Sequence, residues 1–295
     1  MAITASMVKE LREKTGLGMM ACKKALTETD GDMEKAIENL RKQGQATAAK
    51  RAGKAAKEGK VHVIIQENDA LIYEVNSETD FVARNDDFLS FVEALGSLLM
   101  NKKPSDMDAA KALVAEDFGG QSVESKIMEL VGKIGENISF RRFKILPVDK
   151  SKQRAFSYVH GNGRIGVVLT ISSDKPEVLN SEAVEELGKD LAMQIAASNP
   201  LAISRDMVSQ ELVSKEREIF LTQAQTSGKP EKVWERIVDG KLSKFFKEVA
   251  LLEQEYIKDT DLSVTDRIKQ TEKETNSSLS VDGMIRFELG SEEEE

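Results

Sequence analysis

The sequence has few of the residues that mark secreted, membrane-spanning or catalytic proteins. Its 295 residues include one cysteine, Cys22, which excludes an internal disulfide framework and indicates a reducing compartment. No apolar run approaches the roughly 20 residues that a bilayer-spanning helix needs, and the N-terminus carries no charged leader. We therefore expect a soluble, cytoplasmic protein that does not associate with membranes.

Sequence motifs for phosphate, metal and acyl-transfer chemistry are missing as well. The chain has no GxxxxGK phosphate loop, no GxSxG turn, no HExxH helix and no Cys/His ligand spacing. The two histidines, His62 and His160, lie far apart in the sequence, and no pair of carboxylates stands out among the 51 acidic residues. The sequence thus predicts a binding protein with no catalytic residue, no metal and no cofactor.

Positive charge is in deficit over the whole chain, with a formal net charge of -9. Direct nucleic-acid binding through phosphate neutralisation is therefore not expected. One segment, residues 41–60, reverses this balance with seven basic residues: Arg41, Lys42, Lys50, Arg51, Lys54, Lys57 and Lys60. Because no aromatic residue is interleaved for base stacking, we interpret this segment as a solvated helical linker.

Residues 1–55 are predicted to form a small helical domain that ends in the basic linker. Apolar residues recur at helical spacing in three short segments, which contain Leu11, Leu26 and Leu40. The arrangement resembles a ubiquitin-associated three-helix bundle, in which residues 15–19 would form the loop between the first two helices. Such bundles usually bind a partner through that loop. Cys22 is expected to be a packed thiol.

The central part of the chain shows the same pattern twice, namely a β-hairpin followed by an amphipathic helix. The predicted strands are residues 61–65 and 71–75, and then 155–160 and 164–171. We interpret this as an internal duplication that gives an α+β protein with a core of two related subdomains. The first covers residues 56–140, and the second combines 141–202 with 252–290.

Two long helices interrupt the second subdomain at residues 203–251. The reversal at 227–230 joins them into an antiparallel helical hairpin, which is polar enough to project from the body. A final strand at 284–289 is predicted to return to the sheet of the second subdomain. Residues 291–295 form an acidic tail with no reason to be ordered.

A segment at residues 78–85 joins a predicted strand to a helix that begins near Asp86. It places Phe81 among Thr, Asp, Arg and Asn residues, at a junction where exposed functional loops are common. The local pattern alone favours a buried Phe81 below the turn, because large apolar residues are buried far more often than displayed.

Taken together, these stretches resemble the elongation factor Ts family over about residues 2–290. The matching stretches, in family order, are 11–16, 19–20, 22–26, 79–82, 134–138, 141–142, 158, 160, 196–198, 227–230 and 285–287. The resemblance implies a guanine-nucleotide exchange factor for elongation factor Tu in translation elongation, which makes and breaks no covalent bond.

The resemblance also implies a mechanism and a set of site residues. Phe81 would insert between helices of the GTPase domain of elongation factor Tu, disturb Mg²⁺ and the phosphate loop, and so release GDP. Thr79, Asp80 and Val82 would complete that motif. Other contacts implied are Lys23, Ile134 and Gly135 on the GTPase domain and His160 on the partner's C-terminal domain.

Two further consequences of the resemblance concern assembly and the C-terminus. The helical hairpin at residues 203–251 would be a coiled-coil region that could form a homodimer. Some family members carry an additional C-terminal helical module, whereas this chain ends in four glutamates. The alternatives are an adaptor or nucleic-acid-associated protein, in which Phe81 is only structural, and then an enzyme. Steep salt dependence of RNA binding would identify the adaptor.

Overall fold

The computed structural model describes residues 3–66 and 68–291. Its α-helices are α1 (Ala5–Thr15), α2 (Met19–Glu28), α3 (Met33–Arg51), α4 (Asp86–Lys102), α5 (Met107–Ala112), α6 (Val123–Ile134), α7 (Glu182–Ser198), α8 (Gln210–Thr226), α9 (Trp234–Val249) and α10 (Val264–Thr275). Its strands are β1 (Glu58–Gln66), β2 (Asp69–Ser77), β3 (Val114–Ala115), β4 (Gln121–Ser122), β5 (Ile138–Pro147), β6 (Gln153–His160), β7 (Ile165–Ser173), β8 (Glu255–Tyr256), β9 (Asp259–Ser263) and β10 (Leu279–Glu288). Within the described ranges, no helix is long and apolar enough to cross a membrane.

The N-terminal helices form the predicted three-helix bundle. Thr4 and Asp32 begin α1 and α3, since their side-chain oxygens accept hydrogen bonds from backbone N–H groups in the first turn. Gly16 ends α1 at φ +65°, a left-handed conformation that suits a residue without a Cβ. The buried face of the bundle consists of Val8, Leu11, Cys22, Ala25, Leu26, Ala36 and Leu40.

The basic segment is helical, as predicted, only as far as Arg51, and it is not a free linker. Helix α3 continues to Arg51, and its inner face packs against α6. The two helices come into close contact at Gly44 and Gly132, where a Cβ built on Gly132 would lie 2.7 Å from Gly44 Cα. The expectation of a solvated linker is therefore wrong for this face, because two glycines allow close helix contact. Most of the basic side chains point outward and are exposed.

The first sheet is antiparallel, with strand order β1-β2-β5. Helices α4 and α6 cover one of its faces, and Asn85 begins α4 by accepting hydrogen bonds from two backbone N–H groups. Apolar residues of α4 recur every three to four positions and bury one face of the helix against the strands. The core between sheet and helices includes Leu71, Tyr73, Val75, Phe88, Leu95, Leu99, Leu130 and Phe140.

The second sheet has the order β6-β7-β10, and α7 and α10 cover its outer face. In both sheets a hairpin is followed by a helix, and a later strand then pairs with the second strand of the hairpin. The shared order confirms an α+β core of two related units. It also confirms the predicted return of the last strand to the second sheet.

The two sheets face each other, so the core has four layers, with helices outside and strands inside. Between the sheets lies an apolar layer of Val61, Ala70, Ile72, Val148, Ala155, Val168 and Phe287. Gly166 on β7 belongs to the same face, where a Cβ would lie 2.5 Å from Val61 Cγ1. The absence of a side chain at Gly166 lets the sheets come together.

A buried ion pair lies within this layer. Glu74 on β2 is fully buried, and its carboxylate is 2.7 Å from the guanidinium of Arg142 on β5. Glu74 also accepts a hydrogen bond of 2.8 Å from the backbone N–H of Gly290. Arg142 donates to the carbonyl of Glu288 at 2.8 Å and lies 4.3 Å from the ring centroid of Phe287. The pair thus joins the end of β10 to the first sheet.

The predicted helical hairpin is present, with boundaries that differ by a few residues. Helix α8 begins at Gln210 rather than near 205, and α9 ends at Val249. The two helices pack through Ala224, Val238 and Leu242, and Trp234 Nε1 donates to the Lys229 carbonyl at 2.9 Å. Several short elements, and the 12-residue helix α10, have no counterpart in the prediction; the short elements are α5, β3, β4, β8 and β9. The acidic tail lies outside the described residues from position 292.

Candidate partner-binding site

Phe81 lies at the outer end of the first sheet, in the turn between β2 and α4. Its side chain is 79 % exposed, so the local expectation of a buried ring is wrong. The next two residues, Val82 and Ala83, enter the core in its place. Phe81 has ordinary right-handed dihedral angles, φ -64° and ψ -43°. The turn therefore presents the ring outward without backbone strain, while its neighbours supply the burial.

Short-range contacts stiffen this turn on both sides of Phe81. The Ser77 hydroxyl donates to the Thr79 carbonyl at 2.8 Å, directly after the buried strand β2. Asp80 and Arg84 form an ion pair of 2.9 Å across one helical turn, and both side chains are largely exposed. Exposed pairs of this kind contribute little stability, typically below about 1 kcal/mol. The ion pair orients the Asp80 carboxylate more than it stabilises the fold.

A second segment, residues 134–137, is held beside the Phe81 turn. The Thr79 backbone N–H and hydroxyl donate to the Glu136 carboxylate at 3.0 and 2.9 Å. Gly135 ends α6 in a left-handed conformation with φ +86°, and Ile134 is half-buried against the core of the first unit. The structure therefore brings Ile134 and Gly135 to the same region as the predicted residues 79–82.

The N-terminal bundle reaches the same end of the first unit. Lys133 Nζ forms an ion pair of 2.7 Å with Asp87 on α4, and a Cβ built on Gly16 would lie 2.7 Å from that Nζ. The loop between α1 and α2 thus lies near the start of α4. Next in the chain, Met19 and Met20 are exposed by 60 % and 77 % at the beginning of α2. Lys23, one turn later on α2, is also exposed.

His160 lies elsewhere, at the end of β6 on the second sheet. It is exposed, and its Nδ1 is 3.0 Å from the Tyr158 hydroxyl. Among the described residues it makes no hydrogen bond, ion pair or ring contact with the Phe81 turn. The structure therefore does not join His160 to the other predicted residues, and any shared role would require a partner large enough to contact both units.

Two groups with pKa values altered by burial, His62 and Tyr73, pack against each other in the first sheet. Burial, with a smaller contribution from Lys60, lowers the pKa of His62 to about 4, and its ring stacks on Tyr73 at 5.5 Å. Burial likewise raises the pKa of Tyr73, whose hydroxyl donates to the Val92 carbonyl. Within residues 3–66 and 68–291, no group of three or more His, Cys, Asp or Glu residues could hold a metal ion.

Three residues that shape this site, Glu78, Glu136 and Asn137, lie in stretches that the sequence analysis named, but it assigned them no role. Glu78 accepts a hydrogen bond of 2.7 Å from the Asn137 backbone N–H and lies 3.3 Å from the Arg51 guanidinium. Among 51 acidic residues, nothing in the sequence separates these two carboxylates from solvated ones. The one signal for their role is their place within the stretches 78–85 and 134–138.

Comparison with known proteins matches the chain over nearly its whole length. A family model described as elongation factor TS matches residues 78–291. Elongation factor Ts of Clostridium botulinum (strain Alaska E43 / Type E3) is 46% identical over 291 residues, which cover 98% of this chain and 93% of that protein. Elongation factor Ts of Chloroherpeton thalassium is 45% identical and is covered to 98%. The matched regions include the Phe81 turn, both sheets and the helical hairpin.

Proposed function

Because the chain belongs to the elongation factor Ts family, we propose that it is a guanine-nucleotide exchange factor for elongation factor Tu in translation elongation. It binds the GDP-bound GTPase, promotes release of GDP and leaves the site open for GTP. It makes and breaks no covalent bond, and it requires no cofactor. The observation that supports this proposal most is the outward-facing ring of Phe81 on a turn anchored by Val82 and Ala83.

The proposed mechanism uses Phe81 as a wedge. The ring inserts between helices of the GTPase domain and displaces the elements that order Mg²⁺ and the phosphate loop. A bound cation supplies a large share of the charge that stabilises a diphosphate, so its loss weakens GDP binding. A rigid aromatic side chain suits this role, because buried aromatic anchors carry much of the energy at protein interfaces. Val82 anchors the turn in the core, while Thr79 and Asp80 help to hold the ring in place and add polar contacts.

The remaining predicted residues are proposed as further contacts with elongation factor Tu. Lys23 contacts the GTPase domain, and so do Ile134 and Gly135, which the Glu136 contact keeps beside the Phe81 turn. His160 contacts the partner's C-terminal domain from the second unit. Thermodynamic reciprocity requires that bound GDP weakens the affinity of elongation factor Tu for this chain by the same factor.

The organisation of the chain into functional units is also a proposal. We divide it into an N-terminal domain at 1–55, core subdomains at 56–140 and at 141–202 with 252–290, and a helical insertion at 203–251. The insertion is a coiled-coil hairpin that could join two copies of the chain. We propose that the protein acts in the cytoplasm without direct contact to nucleic acid.

Release of a fluorescent GDP analogue from elongation factor Tu tests this function. We expect strong acceleration by the intact chain and loss of most of it with Phe81→Ala. Val114→Ala is the matched control, since Val114 is also an exposed apolar residue, at 58 %, on a short strand of the same unit. A thermal melt checks the fold of each variant. Acceleration that survives Phe81→Ala would overturn the wedge, and no acceleration by the intact chain would overturn the exchange function.

A further inference from the structure

A turn that displays an exposed aromatic ring needs contacts that hold it in one conformation. Surface turns are among the most mobile parts of a fold, and an apolar ring gains free energy when it folds back onto apolar surface. The neighbours Val82 and Ala83 fix the C-terminal side of the Phe81 turn, because both are buried. The N-terminal side contains Glu78 and Thr79, which lie outside the core and must be held by polar contacts.

Two carboxylates form crossed contacts at this N-terminal side. Glu136 accepts hydrogen bonds from both donors of Thr79, the backbone N–H at 3.0 Å and the hydroxyl at 2.9 Å. Glu78 accepts in the opposite direction, from the Asn137 backbone N–H at 2.7 Å. Hydrogen bonds to ionised carboxylates are roughly twice as strong as those between neutral groups. Together these contacts tie the turn to the segment that follows α6.

The second sheet repeats one of these contacts and lacks the other. Asp174, the residue after β7, accepts from the backbone N–H of Ser278 at 2.7 Å, just as Glu78 after β2 accepts from Asn137. This contact therefore belongs to the shared fold. The N–H that corresponds to Thr79 is that of Lys175, which donates to the nearby Ser173 hydroxyl at 3.1 Å. The fold can satisfy this N–H locally, without a distant carboxylate.

The contact between Glu136 and Thr79 is thus specific to the unit that displays Phe81. We propose that Glu136 is a positioning residue, which fixes Thr79 and thereby holds the Phe81 ring outward and ready for its partner. This inference rests on the proposed exchange function. Glu136 acts through Phe81, so its loss reduces nucleotide exchange only while the ring is present.

A double-mutant cycle tests this dependence. Release of fluorescent GDP from elongation factor Tu is measured over a range of concentrations of four full-length chains: wild type, Glu136→Ala, Phe81→Ala and the double variant. We expect Glu136→Ala to reduce exchange efficiency at least about tenfold, since the loss of even one hydrogen bond to a charged group accounts for a factor of about ten. In the Phe81→Ala background the same substitution should change nothing. Glu124→Ala, which removes an exposed carboxylate from α6, the helix that precedes Glu136, is the charge control.

A conservative variant and a second measurement separate positioning from misfolding. Glu136→Gln keeps one acceptor oxygen and should recover part of the lost exchange, while thermal melts of all variants stay close to wild type. Hydrogen exchange of the Thr79 amide should be faster in free Glu136→Ala than in the free wild type.

Two results would overturn the inference while leaving the proposed function intact. The first is wild-type exchange by Glu136→Ala, and the second is a double variant in which the two losses multiply. Multiplied losses would mean that Glu136 acts independently of the ring. A wild-type chain that releases no GDP would instead overturn the proposed function itself, together with the inference that rests on it.

Discussion

The two sheets each carry a turn between their second strand and the following helix, and these turns have the same length. Asn85 follows Ser77 by eight residues, and Ser181 follows Ser173 by eight, before α4 and α7 begin. Both turns contain a short 3₁₀ segment and end in a side chain that caps the helix. The two units of the duplicated core thus share the same turn architecture.

A comparison of corresponding residues in the two turns shows which of them the fold requires for packing. Val82 and Ala83 of the first turn correspond to Val178 and Leu179 of the second, and in each turn this apolar pair packs into its unit's core. The position of Phe81 is taken by the exposed Glu177 in the second turn. A fold that accepts glutamate here does not require an aromatic ring. The comparison therefore favours a role for Phe81 in binding a partner rather than in stabilising the fold.

The inner faces of the sheets differ as well. The pair formed by Glu74 and Arg142 in the first sheet corresponds to Thr170 and Gly283, which face each other in the second. The first sheet thus buries two charges where the second has a buried hydroxyl and a half-buried glycine. The charges hold the end of β10, so the first unit depends on the last strand of the second through polar contacts.

The largest effect is expected when this buried pair is broken. Arg142→Met leaves the Glu74 carboxylate buried and unpaired, which should lower the free energy of unfolding by about 3–5 kcal/mol. Thr170→Val, at the corresponding place of the second sheet, should cost less than about 1.5 kcal/mol. Urea unfolding followed by circular dichroism measures both. The double variant Glu74→Leu/Arg142→Met should be more stable than Arg142→Met alone, and a double variant that is less stable would contradict this account.

Exchanging the residues of the two turns gives the next largest effect. Phe81→Glu copies the second turn into the first and should reduce acceleration of GDP release about thirty-fold or more, as expected for an interface residue worth at least 2 kcal/mol. Glu177→Phe, the reverse change, should leave exchange at the wild-type rate. Neither change should lower the melting temperature appreciably, because both positions are exposed. If a folded Phe81→Glu variant exchanged nucleotide at the wild-type rate, the difference between the two turns would have no bearing on exchange.

The sequence predicted the parts of the fold whose signal is local. Both hairpins and the helices α4 and α7 follow from apolar residues at strand or helix spacing, which depend on neighbours a few positions away. Helix α10 was missed because few apolar residues mark its buried face, mainly Val264 and Ile268. The docking of α3 on α6 was missed for another reason, since the contact of Gly44 with Gly132 joins residues far apart in the chain.

The residues of the candidate site likewise fall into those that the sequence indicated and those that depend on long-range contacts. The family resemblance indicated Phe81 and its neighbours, whereas the local pattern predicted a buried ring. That prediction failed because Val82 and Ala83 already fill the core below the turn. The supporting carboxylate Glu136 could not be recognised from sequence, since its partner Thr79 lies 57 residues earlier. Contacts between residues this far apart in the sequence can be identified only once the pairing of the strands is known.

The smallest expected effect concerns His62 on β1, which stands where Phe156 stands on β6. Burial lowers the pKa of His62 from 6.5 to about 4, so between these values the unfolded chain binds a proton that the folded chain excludes. Stability is therefore fully present above pH 6.5 and falls as the pH approaches 4. His62→Phe copies the second sheet and should reduce the loss of unfolding free energy between pH 6.5 and 5 by about 1 kcal/mol, after discount for partial exposure. His160→Phe is the control, because that ring is exposed. Urea unfolding at both pH values measures the difference, and an equal loss in wild type and His62→Phe would show that His62 is solvated in the folded chain.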